Sequence, residues 1–110
     1  MEQILIVMTN LPNAQAAEAI ASTLVQARLA ACVNMLPAVQ SVYRWQGKVE
    51  RATEVTLLIK TTQQHYAALE AAIRAAHPYE LPEVIALPVT TGLPSYLQWV
   101  ITETTPEHHA

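Results

Sequence analysis

Side chains able to hold a metal or move a proton are few in this 110-residue chain. The soft and imidazole ligands are Cys32, His65, His77, His108 and His109, with the thioethers of Met1, Met8 and Met35. Thiolates and thioethers suit Cu(I), and imidazole suits copper and zinc. None is arranged as CxxC, HxH or HExxH, and the adjacent pair His108-His109 lies in the tail. Cys32 has an ordinary reading as a small buried hydrophobe. His77 stands where a helix should end, so it is either a hydrogen-bonded C-cap favoured by the helix dipole or a member of a site. The chain has no aspartate, which leaves acid–base work to Glu, His, Tyr, Lys or Cys32. Glu80 and Glu83 flank Pro82 with no regular element to fix their separation, and no nucleophile–base pair shows by spacing. With only two glycines, Gly47 and Gly92, no phosphate-cradling loop can form. Binding without catalysis is therefore expected.

Lys60 sits where an otherwise apolar strand ends, a position that demands a partner. Glu80 or Glu83, on the connector 77–83, are the expected partners, because the end of the third strand and this connector should lie on one side of the subunit. Two roles stay open. One is an ion pair that locks an oligomer. The other is a cleft shared between subunits, formed by Lys60, His77, Tyr79, Glu80 and Glu83 and walled by Tyr43, Trp45 and Trp99, for a small anion or a metal. Such aromatics serve equally as interface anchors. Arg44, Lys48 and Arg51 read as a solvated face.

Composition narrows the partners. Hydrophobic residues make up 52% and charged residues 14% of the chain, so it folds around a core. Its 12.1 kDa suffice for one domain, expected over residues 1–103 with a tail at 104–110. A net charge of −3 argues against nucleic acid, which calls for a basic surface. The longest apolar stretch, 29–42, is broken by Asn34, Pro37, Gln40 and Ser41, so no membrane partner is expected. Glu2 and the short apolar run 4–8 do not make a signal peptide. With a lone cysteine, that points to a reducing, cytoplasmic setting.

The elements that must position these groups can be read from periodicity. Residues 3–9 are a strand apolar on both parities. Asn13 can cap a helix over 14–28 with Ala17, Ile20, Leu24 and Ala27 on its buried stripe. Residues 31–45 form a long strand, disturbed at Pro37. On simple alternation Val33, Met35, Val39, Tyr43 and Trp45 share one side, and Cys32, Asn34, Leu36, Val42 and Arg44 the other. Gln46-Gly47 is a two-residue hairpin loop leading into a returning strand, 49–61. A second helix follows over 63–76, capped by Thr62 and ended by Pro78, then a strand over 84–89 and a short helix over 95–103. The order βαββαβ plus a helix predicts an α+β, ferredoxin-like antiparallel sheet with a long hairpin between its second and third strands and an extra C-terminal helix.

The hairpin has a further consequence. A compact domain of this length is roughly 35 Å across, whereas fifteen extended residues reach roughly 50 Å. The two strands overrun their own domain unless they bend at Pro37. Their inner halves are apolar on both faces, yet the two helices cover only one. Copies of the chain that shelter each other's open faces, in a closed ring, resolve both problems.

The segments Ala30-Ala31-Cys32-Val33-Asn34, Tyr43-Arg44-Trp45-Gln46-Gly47-Lys48, Leu58-Ile59-Lys60-Thr61 and His77-Pro78-Tyr79-Glu80-Leu81-Pro82-Glu83 occur in this order, followed by Tyr96-Leu97-Gln98-Trp99. Together, from about Ile4 to Trp99, they resemble the CutA family of divalent-cation-tolerance proteins. The resemblance implies a ferredoxin-like subunit, a tightly packed homotrimer arranged like PII proteins, and an association with copper and other divalent metals. Some members link a metal to a Cys before the first strand's Thr and to a His pair before Pro-Tyr. Met8, Ala76 and His77 stand at those positions here, so the resemblance implies at most a weak copper contact drawing on Met8, Cys32 and His77. It also keeps open a PII-like sensor that binds an anionic metabolite near Lys60, and a structural trimer that binds a protein partner.

Overall fold

The computed structural model describes residues 2–106, so His108 and His109 lie outside the described residues. Strand β1 (Ile4–Leu11) leads into helix α1 (Ala14–Gln26), whose cap is Asn13: its side chain accepts the Ala16 N–H at 2.8 Å. Strands β2 (Cys32–Trp45) and β3 (Lys48–Thr62) form the long hairpin. Its loop residues Gln46 and Gly47 both have positive φ, 49° and 81°, as a type I′ turn requires. A single 3-10 turn, Gln63–His65, precedes helix α2 (Tyr66–Ala76); β4 (Ile85–Pro88) and α3 (Pro94–Thr104) complete the fold. The sheet is antiparallel in the order β2-β3-β1-β4, the ferredoxin-like arrangement expected.

Local chemistry moved several boundaries. β1 runs two residues past Thr9, because Asn10 and Leu11 pair with Thr56 and Val55 instead of turning. α1 ends at Gln26, since Arg28 adopts φ 59° and its guanidinium donates to the carbonyls of Glu103 and Thr105 at 3.2 Å, tying α1 to the end of α3. Ala27 therefore leaves the buried stripe, and Ala21 takes its place beside Ala17, Ile20 and Leu24. Thr62 does not cap a backbone N–H; its hydroxyl bonds the His65 ring at 2.7 Å, and the chain tightens into the 3-10 turn.

The most consequential departure is a bulge. Leu36 pairs with Thr56 and Val39 with Glu54, so Pro37 and Ala38 face the single residue Val55. Ala38 takes up the kink at φ 58°. One extra residue reverses the alternation. Val39, Tyr43 and Trp45 leave the side of Val33 and Met35 and join Cys32, Asn34 and Leu36. Simple period-2 reading of 31–45 was therefore wrong beyond Pro37.

Leu5, Val7 and Leu11 of β1 and Val55, Leu57 and Ile59 of β3 form one core with Ala17, Ile20 and Leu24 of α1 and Leu69 and Ile73 of α2. The intervening residues face the other way. α3 packs on β3 and β1, with Val100 fully buried and Tyr96 beside the Cys32 thiol, so it covers one end of this second face. The remainder stays open: Leu36 is exposed, and Ile85 and Leu87 are each 49% exposed. The molecule measures 53 × 29 × 22 Å, its length set by the projecting ribbon. The overreach and the second apolar face expected from the sequence are both present.

Candidate functional site

The open face carries a groove of about 1070 Å³ where β1 ends and the ribbon continues alone. Its floor is Asn10 and Glu54. One wall is β2 from Gln40 to Trp45, and the other is the connector from Pro78 to Ile85. The bulge makes this possible, because it turns Tyr43 and Trp45 onto the face of Glu54.

A chain of hydrogen bonds anchors the connector to the sheet. The His77 ring spans two backbone groups: Nε2 lies 2.8 Å from the Asn10 carbonyl, and Nδ1 lies 3.1 Å from the Tyr79 amide. Nδ1 can only accept from that N–H, so Nε2 carries the proton and the ring is neutral. Burial favours the same state and lowers the His77 pKa below 6.5, against the opposing pull of the Asn10 carbonyl and the Glu54 charge. The Tyr79 hydroxyl donates to Glu54 Oε2 at 2.8 Å, and its ring lies 4.9 Å from that of His77. Burial first, then the bond to Glu54, pushes the Tyr79 pKa up to about 12. The Asn10 side chain accepts from Thr56 Oγ1 at 2.6 Å and donates to Glu83 Oε1 at 3.4 Å. Two strands and the connector thus share one polar network.

The expected cleft residues divide into two places. Tyr43, Trp45, Tyr79, Glu80 and Glu83 line the groove, and His77 braces its wall. Lys60 does not meet Glu80 or Glu83 within the chain. Its ammonium donates to Asn34 Oδ1 and lies 4.0 Å from Cys32 Sγ. The reason is topological. α2 carries the chain roughly 16 Å back along the sheet, so the connector emerges at the opposite end from Lys60. In register, Lys60 faces Ile6 and Thr56 faces Asn10, a separation of roughly 13 Å. Trp99 stays with the Lys60 end, its ring 5.6 Å from that of Tyr96.

The metal trio is not assembled in one chain. Met8 and Cys32 share the open face but stand two strands and two residues apart, roughly 12 Å. Both His77 nitrogens are already bonded. Among the described residues no three His, Cys, Asp or Glu side chains converge as a metal site would require.

Sequence reading missed Glu54, Asn10 and Thr56. Glu54 is 7% exposed, and Tyr79 is its partner among the described residues. A usable signal was present: Glu54 is the last carboxylate before the strand turns apolar at Val55. Asn10 was hidden by its turn-like neighbours Pro12 and Asn13.

Sheet order, helix placement and the projecting hairpin define a ferredoxin-like α+β subunit with a groove beside the ribbon. The chain belongs to the family described as CutA1 divalent ion tolerance protein, whose model matches residues 5–103. The divalent-cation tolerance protein CutA of Thermus thermophilus is 44% identical over 86% of this chain and 92% of its own length. Mouse protein CutA is 51% identical over 81% of this chain but only 50% of its own length, so the chain spans about half of that relative. The crystal structure of CutA from Xylella fastidiosa superposes with a TM-score of 0.90 at 48% identity, covering 93% of this chain and 98% of that one. No helix among the described residues is long and apolar enough to cross a membrane. An Arabidopsis thaliana relative is named chloroplastic and an Archaeoglobus fulgidus structure periplasmic, so the family is not confined to one compartment.

Proposed function

We propose that this protein is a homotrimeric member of the divalent-cation-tolerance family that works in the cytoplasm by binding a small ligand in the groove, without catalysis. The groove carries the reading: a partly enclosed space with aromatic walls and a few fixed polar groups is what ligand sites look like. The bonded state of His77 supports binding over catalysis, because neither ring nitrogen is free to act as a base. Copper or another divalent metal enters as the ion tolerated, with the ligand rather than a Met8–Cys32–His77 cage as the molecular link. The engagement of Lys60 by Asn34 speaks against an anion site there. The exposed Leu36 and Leu87, together with the ribbon, favour the trimer, because copies can cover these surfaces for one another.

Thermal-shift screening of small ligands, with Glu54→Gln as control, tests the binding act. A ligand that raises the midpoint of the wild type and not of the variant supports the reading. A parallel titration of copper into a chain ending at Thr104 should show no tight saturable binding. Stoichiometric copper uptake by that shortened chain, with no groove ligand found, would replace this reading by direct metal binding.

A further inference from the structure

We infer that copies of this chain join head to tail, the helix-side face of one ribbon, with Val42, Arg44, Val49 and Arg51, docking on the connector Glu80-Leu81-Pro82-Glu83 of the next copy. This rests on the trimer reading and names the surfaces that meet. β1 pairs with β3 only as far as Leu11 and Val55, so beyond that rung the ribbon has no third strand. In register, Val42 faces Arg51 and Arg44 faces Val49. Val49 and Arg51 keep the parity of Val55 and Leu57, so all four share the face that the helices cover nearer the base. Val49 stands roughly 20 Å beyond Val55 along the strand. There the cover has run out: Val42 is 63% exposed and Val49 56%.

Charge selects the partner. Two valines interleaved with two guanidiniums make a patch both apolar and positive, where the sequence alone suggested a solvated face. No carboxylate shares it, because Glu50 pairs with Tyr43 and follows the other parity. Arg44 and Arg51 have no partner among the described residues. The complement lies in the last third of the chain. No Lys or Arg follows Arg74, and Glu80 and Glu83 flank Leu81 and Pro82. Both carboxylates are exposed, and Leu81, at 70%, is the most exposed large hydrophobic among the described residues. Leu81 thus answers the two valines, and the two carboxylates answer the two guanidiniums, which bind carboxylate as a planar fork. One chain cannot make this contact with itself, because its own connector borders the other face of its ribbon, across the groove from Tyr43 and Trp45. The two surfaces differ, so the contact is heterologous and, repeated around an axis, closes a ring. Charges paired across such a contact fix its register and reject wrong partners.

Sedimentation equilibrium of the full chain tests this by charge reversal. One double variant, Arg44→Glu with Arg51→Glu, sets carboxylates against the connector. The other, Glu80→Arg with Glu83→Arg, sets guanidiniums against the ribbon. All four side chains are exposed, and the one bond among them, from Asn10 to Glu83 at 3.4 Å, is at the surface, so circular dichroism of each variant should match the wild type. Each double variant should raise the dissociation constant of the oligomer by about a hundredfold or more, because like charges then meet at two places. The quadruple variant exchanges the signs and should return the constant to within about tenfold of the wild type. An unchanged constant in either double variant overturns the inference and leaves association itself standing. Weakening in both without recovery in the quadruple variant also overturns it, since the two surfaces then do not meet each other. A wild type that is already a single chain removes the association and this contact with it.

Discussion

Tyr79→Phe removes one atom group whose role is well defined. The lost hydroxyl donates to Glu54 Oε2 at 2.8 Å, while the ring and its contact with His77 remain. The carboxylate, 7% exposed, is left without its donor. A hydrogen bond to a charged group contributes about 1.5–3 kcal/mol, and water entering from the groove recovers part of the loss. The expected destabilisation is therefore about 2 kcal/mol per chain. For a chain of this size that lowers the melting midpoint by about 8 °C. Unfolding should be followed by circular dichroism at one fixed protein concentration, because the proposed association would make the midpoint concentration-dependent. Tyrosinate absorbance separates the bond from packing. Burial, and next the bond to Glu54, hold the Tyr79 hydroxyl up to about 12. A folded pKa above the unfolded value of about 10 stabilises fully below that pH, and the contribution fades as pH climbs toward 12. Glu54→Gln removes the charge and should bring this transition down. If Tyr79→Phe stays within about 0.5 kcal/mol of wild type, or Glu54→Gln leaves the transition unmoved, the tie between connector and sheet is not what the geometry implies.

Three further outcomes are expected. His77 should titrate below 6.5 by proton resonance, since burial favours its neutral ring; with the folded value below the unfolded one, its contribution is complete above pH about 6.5 and declines as pH falls toward the folded value. Thr9→Val should stabilise by about 1 kcal/mol in denaturant titration, because Thr9 is fully buried and its hydroxyl has no partner among the described residues. Trp45→Ala should weaken assembly by about 2 kcal/mol or more, read as a rise in the dissociation constant of the oligomer, since Trp45 is 37% exposed in one chain and offers a large apolar anchor; an unchanged constant contradicts that role.

Elements with strong local signals were legible in the sequence. Asn13 before an alanine-rich stripe, Gln46-Gly47 between long β-rich runs and Pro78 after a helix each act through their own backbone preferences, so they needed no knowledge of the fold. Ala17, Ile20 and Leu24 followed from helical periodicity and are buried. The site was legible only in part, for two reasons. Pro37 announced a disturbance, but whether it bends, ends or bulges a strand depends on the partner strand, and the one-residue insertion decided which way Tyr43 and Trp45 face. The placement of Lys60 required the length of α2 set against the sheet, a tertiary quantity. Glu54 looked like one more charge near a wet tip. Only the register that lays β3 beneath Tyr79 makes it a buried carboxylate.

The most direct test of the account is the mass of the purified protein in solution. In the proposed trimer, other copies cover the open sheet face with its exposed Leu87 and flank the ribbon that extends the chain to 53 Å. Sedimentation equilibrium at micromolar concentration should give a single species of three times the 12.1 kDa chain. A stable species at the mass of one chain would contradict the account, because that apolar face would then stand in water unaided.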